Sequence, residues 1–160
     1  MRQTHTIPPF CEGSPKILIL GSFPSVKSRE TGFFYGHGQN RFWRVVASVF
    51  EDETPLTVPE KKAFLKRNRI AIWDVIESCD IEGSSDASVK NATVNDIKTL
   101  LEKFPSVEKI FVNGKTAKKL YDKYILPSLG VCAEALPSTS PANAAKTEND
   151  LFSEWKKIKF

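Results

Sequence analysis

The sequence predicts an α/β fold of three layers, in which a four-stranded parallel sheet lies between two layers of helices. Short apolar runs alternate along the chain with amphipathic helical segments, a pattern typical of parallel sheets covered on both faces. The clearest run, residues 16–21, is continuously apolar and bounded by turn residues, as expected of a strand buried on both faces. The length of 160 residues suits one domain. We therefore expect a single domain over residues 1–160, with an irregular segment at 1–15.

The strands follow from further apolar runs of the same kind. Residues 70–75 and 107–112 are rich in Ile, Val and Phe, and the shorter run 131–136 ends at a Pro-Ser-Thr-Ser segment. Right-handed crossovers bring the carboxyl ends of parallel strands to one edge of the sheet. Four polar loops are therefore expected to meet at that edge, at 22–39, 74–91, 113–114 and 137–143.

The helices follow from apolar spacing and from capping residues. Thr57-Val-Pro-Glu60 is a capping-box start for a helix that ends near Arg67. Thr93 is expected to cap a helix through Phe104, and Thr147 lies near the start of the last helix. The first helix shows one apolar stripe at spacings of three and four residues, as does a segment at 115–124. The stripe of the first helix comprises Phe42, Val45, Val46, Val49 and Phe50.

Composition limits the function only loosely. The net charge of +4 permits phosphate binding without requiring it. No apolar run approaches 18 residues and no leader is evident, so we expect a soluble cytoplasmic protein without a membrane partner, associated with the nucleoid in a bacterium or archaeon. Cys11, Cys79 and Cys132 are widely spaced and odd in number, which disfavours a metal site and predicts free thiols.

The longest loop, at 22–39, is the most informative segment for function. Loops longer than about 12–15 residues are usually functional, and this one follows the first strand of the sheet, where α/β folds bind ligands. It contains aromatic residues, glycines, hydroxyl groups and His37, and Asn40-Arg41 follows it. These residue types suit a pocket that stacks on a flat polar ligand and forms hydrogen bonds with it.

Several common active-site motifs are absent from the sequence. There is no GxGxxG, no GxxxxGK[ST] and no GxSxG, which disfavours dinucleotide binding, P-loop chemistry and an α/β-hydrolase. The only histidines are His5 and His37, so a Ser-His-Asp triad would need its serine in the same loop as His37. This requirement disfavours a serine hydrolase of that kind. No acid pattern of a zinc deaminase is present.

Three segments resemble the uracil-DNA glycosylase superfamily, and within it most closely the hypoxanthine-DNA glycosylase (deoxyinosine glycosylase) family, near the mismatch-specific uracil/thymine glycosylases. They are Gly21-Ser-Phe-Pro-Ser25, Tyr35-Gly-His-Gly-Gln-Asn-Arg-Phe-Trp43 and Leu136-Pro-Ser-Thr-Ser-Pro-Ala-Asn143. The resemblance implies a four-stranded parallel sheet, no cofactor, and DNA containing a deaminated base as the partner. It also implies base excision repair initiated by hydrolysis of the N-glycosidic bond after base flipping. The cysteine spacing leads us to expect no metal, and nothing in the sequence demands more than a monomer.

The resemblance also implies the residues of the site. Asn40 matches the catalytic asparagine. Asp74 lies where several relatives have an asparagine that reads the base, and Leu136 lies where other branches have a polar residue. The base pocket is expected to comprise Gly21, Ser22, Phe23, Pro24, Ser25, Phe34, Tyr35, His37 and Asp74. Contacts with the DNA backbone, or the wedge that holds the flipped state, are expected from Ser138, Thr139, Ser140, Pro141, Ala142, Asn143, Arg41, Ser84 and Ser85.

The residues suggest a mechanism and leave alternatives open. Phe23 is the preferred stacking surface for a flipped base, and Asn40 could orient a water molecule for a late, dissociative attack. Each aromatic residue could instead fill the core, and Asn40 could be an ordinary helix N-cap. At the level of function, the alternatives are a uracil- or mismatch-directed glycosylase of the same fold, a non-catalytic nucleic-acid-binding module and a nucleoside-binding domain.

Overall fold

The computed structural model describes residues 2–4, 7–23, 28, 32–80 and 90–160. In chain order the strands are β1 (Arg2–Thr4), β2 (Ile17–Gly21), β3 (Ile70–Asp74), β4 (Ile76–Asp80), β5 (Lys90–Val94), β6 (Lys109–Asn113) and β7 (Ala133–Leu136). The helices are α1 (Phe42–Val49), α2 (Val58–Arg67), α3 (Ile97–Lys103), α4 (Lys115–Tyr124), α5 (Leu126–Leu129) and α6 (Glu148–Trp155), and α6 continues into a 3₁₀ turn, Lys156–Ile158.

The predicted four-stranded parallel sheet is confirmed, with the strand order β3-β2-β6-β7. Its register places Gly21 beside Asp74 and Asn113 beside Leu136, at the carboxyl ends of the four strands. The loops that follow these strands therefore start from one edge of the sheet. The site described below lies at this edge.

Alternation along β2 explains the three layers. Ile17 and Ile19 belong to a buried cluster that also contains residues of α1, α2 and α6. Leu18 and Leu20 belong to a second cluster, which contains residues of α3 and α4. All four side chains are almost completely buried. Because successive side chains of a strand point to opposite faces, a continuous apolar run requires cover on both sides.

A second, three-stranded sheet with the order β1-β4-β5 was not predicted. The antiparallel strands β4 and β5 occupy much of the polar stretch expected to be a loop, and β1 pairs with β4 inside the segment expected to be irregular. In that same segment Phe10 forms an antiparallel bridge with Ile72, with both N–H···O distances 2.9 Å. Pairing between strands provides partners for the backbone N–H and C=O groups of these segments. Their polar side chains alone therefore did not indicate strands.

The helix starts were predicted in two cases and misplaced in one. Thr57 and Thr147 each form a capping box, with Glu60 and Asp150 as their partners. Thr93, by contrast, lies in β5, and the cap of α3 is Asp96, whose carboxylate accepts from the backbone N–H of Thr99 at 3.1 Å. The prediction that Thr93 caps this helix was wrong because pairing with β4 extends the chain through Val94.

None of the helices in the described part of the chain is both long and apolar enough to cross a membrane.

Candidate active site

A chain of side-chain hydrogen bonds joins the loops after β2, β6 and β7. Asn113, the last residue of β6, accepts from the backbone N–H of Thr139 at Oδ1 (3.0 Å) and donates from Nδ2 to Thr139 Oγ1 (3.0 Å). The Thr139 hydroxyl in turn donates to Asn40 Oδ1 at 2.8 Å. Thr139 is fully buried. The predicted catalytic asparagine is thus held by a threonine 99 positions later in the chain.

Asn40 also binds the first residue of α1. Its Oδ1 accepts from the backbone N–H of Phe42 at 2.9 Å, in addition to the bond from Thr139. The N-cap position itself is occupied by Arg41, so the interpretation of Asn40 as an ordinary N-cap was wrong, although its side chain does contact the start of the helix. Among the described residues, no hydrogen bond engages Nδ2 of Asn40, and the residue is only partly buried.

Arg41 organises the loop at 137–146, which we call the second loop. Its guanidinium donates to four backbone carbonyls of this loop, belonging to Thr139 (3.4 Å), Ser140 (2.8 Å), Asn143 (3.0 Å) and Lys146. Its backbone N–H also donates to Thr139 O at 3.1 Å. A guanidinium has five N–H donors, so four of them have partners within the protein. These bonds fix the guanidinium against the loop, and the phosphate contact predicted for Arg41 stays a prediction.

The second loop is further shaped by its own polar side chains. Ser138 Oγ accepts from the N–H of Ser140 (3.1 Å), and Ser140 Oγ accepts from the N–H of Ala142 (3.2 Å). Asn143 Nδ2 donates to Ser138 O at 3.0 Å. Both hydroxyls keep their protons for an outside acceptor. The tip, Pro141-Ala142, is exposed.

Helix α6 holds the other end of this loop. Trp155 is fully buried, and its indole Nε1 donates to Pro137 O at 2.9 Å. The ring also makes an edge-to-face contact with Phe42, with centroids 5.8 Å apart. The sequence does not show that Trp155 supports this loop, because Pro137 lies 18 positions earlier in the chain.

Asp74 and Tyr35 meet at the end of β2. A Cβ atom added to Gly21 would lie 2.4 Å from Asp74 Oδ1 and 3.1 Å from the Tyr35 hydroxyl oxygen, so only glycine allows this approach. Asp74 is 3% exposed. Asn95, which the sequence analysis missed, donates from Nδ2 to Asp74 O at 2.8 Å and so fixes the backbone there. The predicted pocket residues Gly21, Tyr35 and Asp74 therefore lie together.

The aromatic residues of the loop at 22–41, which we call the first loop, divide into core and site. Phe34 is 2% exposed and packs edge-to-face on Phe33, with centroids 5.3 Å apart, so it is part of the core, and its place in the base pocket stays a prediction. Phe23 is 8% exposed and belongs to the core cluster that includes Leu20, so its stacking role stays a prediction. Tyr35 stacks on Phe42 at 4.2 Å, with a positive φ of 51°.

A family model described as the uracil DNA glycosylase superfamily matches residues 8–160. The chain belongs to this superfamily. It is 35% identical over 152 residues to a hypoxanthine DNA glycosylase of Methanosarcina acetivorans, with 94% of each chain covered. It is 34% identical to a hypoxanthine DNA glycosylase of Methanosarcina barkeri, with 85% of each covered.

A solved structure supports the same assignment of the fold. A solution NMR structure of a protein from Methanosarcina acetivorans, named as a candidate uracil DNA glycosylase, superposes with a TM-score of 0.82. The two chains are 30% identical and each is covered completely.

In this member of the superfamily Leu136 contributes packing to the site. It is buried in the cluster beneath α1 and α6, and its carbonyl accepts from the N–H of Gly114 at 2.8 Å. No polar side chain is available at this position, so any stabilisation of charge must come from neighbouring residues.

The remaining predicted residues have varied positions. Ser22 is buried, and its carbonyl accepts from the N–H of Ile76 at 3.0 Å. His37 is exposed, and its Nδ1 accepts from the N–H of Gln39 at 3.1 Å. The predictions for Pro24, Ser25, Ser84 and Ser85 fall outside the described residues.

A separate cleft of about 180 Å³ lies beside β3, lined by residues 7–12 together with Gly32, Phe33 and Lys62. It includes none of the predicted site residues. Burial raises the pKa of the Cys11 thiol in this cleft to about 11, which disfavours its thiolate form at neutral pH. Across the part of the chain that the structure describes, no group of His, Cys, Asp and Glu side chains could hold a metal ion.

Proposed function

We propose that the protein is a monofunctional DNA glycosylase that removes a deaminated base, hypoxanthine above all, from DNA and so initiates base excision repair. The observation that carries the proposal is the 35% identity over 94% of both chains with a relative named hypoxanthine DNA glycosylase. The predicted site residues that meet at one sheet edge support it. We further propose that it acts as a monomer on DNA in the cytoplasm or nucleoid.

The Asp74 carboxylate suits the chemical difference that deamination makes. Adenine has a bare acceptor at N1, whereas hypoxanthine has an N1–H donor beside the O6 acceptor. A carboxylate accepts from that N–H and repels the bare nitrogen. Asp74 and the Tyr35 hydroxyl both lie against Gly21, and the proposal places the edge of the flipped base beside them. The same logic separates uracil from cytosine.

The reaction is a hydrolysis of the bond between the base and the sugar. The C1′–N9 bond breaks and its electron pair goes to the base, while a water oxygen bonds to C1′ and its proton passes to the solvent. Positioned hydrogen-bond donors stabilise the negative charge on the base. Asn40 lies at the junction of the loops that surround the site, which makes it the proposed catalytic residue.

The second loop is the proposed contact with the DNA backbone. The hydroxyl groups of Ser138 and Ser140 can donate to phosphate oxygens, because each oxygen already accepts from a backbone N–H. The exposed tip, Pro141-Ala142, is the proposed wedge that fills the space left by the flipped base.

The proposal is tested by excision from oligonucleotides that contain one deoxyinosine, deoxyuridine or deoxyxanthosine, with alkali to cleave abasic sites. We expect wild type to act on deoxyinosine, Asn40→Ala to lose activity and the neighbouring control Gln39→Ala to keep it. Gln39 contributes only its backbone N–H to the bond with His37, which alanine retains. No cleavage of any substrate at high enzyme concentration would favour a non-catalytic binding module.

A uracil-directed glycosylase is the second candidate, since the NMR structure that matches the whole chain is named as a candidate uracil DNA glycosylase. Faster cleavage of deoxyuridine than of deoxyinosine in the same assay would favour it. A nucleoside-binding domain would bind without the steep salt dependence that phosphate contacts give.

A further inference from the structure

We infer that Asn40 meets the substrate as a hydrogen-bond donor, through Nδ2, and that Thr139 is the positioning residue that holds it in this orientation. The inference rests on the proposed glycosylase function and assigns the chemistry of its central residue. It differs from the role expected from the sequence, in which Asn40 orients a water molecule.

Two backbone N–H groups fix the ends of the hydrogen-bond chain. The N–H of Thr139 donates to Asn113 Oδ1, so Asn113 must turn Nδ2 toward Thr139 Oγ1. The N–H of Phe42 donates to Asn40, so the oxygen of that amide must face the helix. A backbone N–H can only donate, and neither end of the chain can therefore reverse.

The hydroxyl of Thr139 closes the chain between these two ends. Its oxygen accepts from Asn113 Nδ2, and its single proton is left for Asn40 Oδ1, 2.8 Å away. Thr139 is fully buried, so solvent does not compete for either bond. Exchanging the oxygen and nitrogen of Asn40 would set donor against donor at Phe42 and would deprive the buried Thr139 hydroxyl proton of its acceptor.

These bonds determine which hydrogen-bonding groups of the Asn40 amide are left for the substrate. An amide oxygen has two acceptor sites, and the bonds from Phe42 and Thr139 occupy both. Activating a water molecule for attack needs a free acceptor for the water's proton. Asn40 instead has the two protons of Nδ2, which can stabilise negative charge on the departing base. It keeps both protons through the reaction.

Asn40→Asp separates the two roles. The carboxylate can still accept from Phe42 and Thr139, but it presents an oxygen where wild type presents N–H. We expect the single-turnover rate on deoxyinosine to fall about 100-fold or more, the range for loss of one charge-stabilising donor. A rate equal to or above that of wild type would overturn the inference, because a carboxylate is the better water acceptor.

Thr139→Val and Thr139→Ser test the positioning role. Valine has the shape of threonine without the hydroxyl, whereas serine keeps it. We expect Thr139→Val to slow the single-turnover step about 10- to 100-fold with little change in DNA affinity, and Thr139→Ser to keep most of the wild-type rate. Equal rates for the two variants would overturn the role of Thr139.

The failure of this inference can be told apart from the failure of the proposed function. If wild type excises hypoxanthine and Asn40→Asp does so equally well, only the donor role falls. If wild type excises no base, the function falls, and NMR then tests the hydrogen-bond chain alone. The buried Thr139 hydroxyl proton should give a slowly exchanging signal close to the Phe42 amide proton, and a rapidly exchanging hydroxyl would overturn the arrangement.

Discussion

The two loops that surround the site are held in place by different forces. In the first loop, aromatic rings are packed, with Phe33 stacked on Trp43 at 6.1 Å and Tyr35 stacked on Phe42 at 4.2 Å. In the second loop, polar atoms form hydrogen bonds, and the guanidinium of Arg41 alone donates to four backbone carbonyls of this loop. One loop is anchored by shape and the other by hydrogen-bond direction.

This difference determines which substitutions each loop can accept. Packing depends on volume, so another apolar side chain of similar size replaces a buried ring at moderate cost. Hydrogen bonds depend on the number and direction of donors, so a side chain with the same charge but other geometry does not replace arginine. We therefore expect a size-conserving substitution of a buried ring in the first loop to preserve most of the stability. We expect a charge-conserving substitution of the arginine that anchors the second loop to reduce it.

The largest expected effect is the removal of a ring from the first loop. Phe34→Ala should lower the free energy of unfolding by about 3–5 kcal/mol, because it leaves a cavity in the core. Phe34→Leu should cost less than half as much. Chemical unfolding measures both, and a loss below about 1 kcal/mol for alanine would mean that Phe34 lies at the surface of the pocket after all.

The next largest effect is expected from the change of Arg41 to lysine. A lysine ammonium cannot span four carbonyls, so Arg41→Lys should lower the free energy of unfolding by roughly 2–3 kcal/mol and also slow excision. The matched control is Arg44→Lys, one turn later, where arginine forms an exposed ion pair with Glu148. That variant should stay within about 0.5 kcal/mol of wild type. Equal losses for the two lysine variants would contradict the anchoring role of Arg41.

A smaller effect is expected where the first loop leaves β2. Gly21→Ala places a methyl group 2.4 Å from Asp74 Oδ1 and should cost about 1–2 kcal/mol of stability while displacing that carboxylate. The excision rate should therefore fall by more than the loss of stability alone would cause. Gly38→Ala is the control, because a Cβ at Gly38 meets nothing within 4 Å. If the Gly21→Ala variant is both active and stable, Asp74 has no role in the site.

The smallest effect on stability is expected at the exposed tip of the second loop. Pro141→Gly should change the free energy of unfolding by less than about 1 kcal/mol. If the tip is the wedge, excision from double-stranded DNA should decline more than excision from a single strand, since only the duplex has a stack to refill. Equal declines on both substrates would assign the wedge to another residue.

The sequence predicted the parts of the molecule that depend on local pattern. The run of β2 and the capping boxes at Thr57 and Thr147 are visible within a few residues, and all were confirmed. The resemblance added Asn40, Gly21 and Asp74 as members of one site. The geometry brings Gly21 and Asp74 together and joins Asn40 to the second loop.

What the sequence did not predict depends on partners that are distant in the chain. An aromatic residue such as Phe34 has the same local pattern whether it lines a pocket or fills a core. The bonds that Arg41 forms with the second loop were not predicted, because the carbonyls that it binds lie about 100 residues away. Asn113 was predicted only as part of the short polar loop 113–114, since its bonds to Thr139 require the folded sheet.

The bond from Trp155 to Pro137 has a consequence for the order in which the site forms during synthesis. Gly21 and Asn40 are synthesised before the support for the second loop, which lies in α6 and follows the seven strands of the described residues. Domains fold as units as they emerge from the ribosome. A nascent chain that stops before α6 would therefore contain Asn40 and Asp74 but no complete site, so that catalytic competence arrives only as translation of this segment ends.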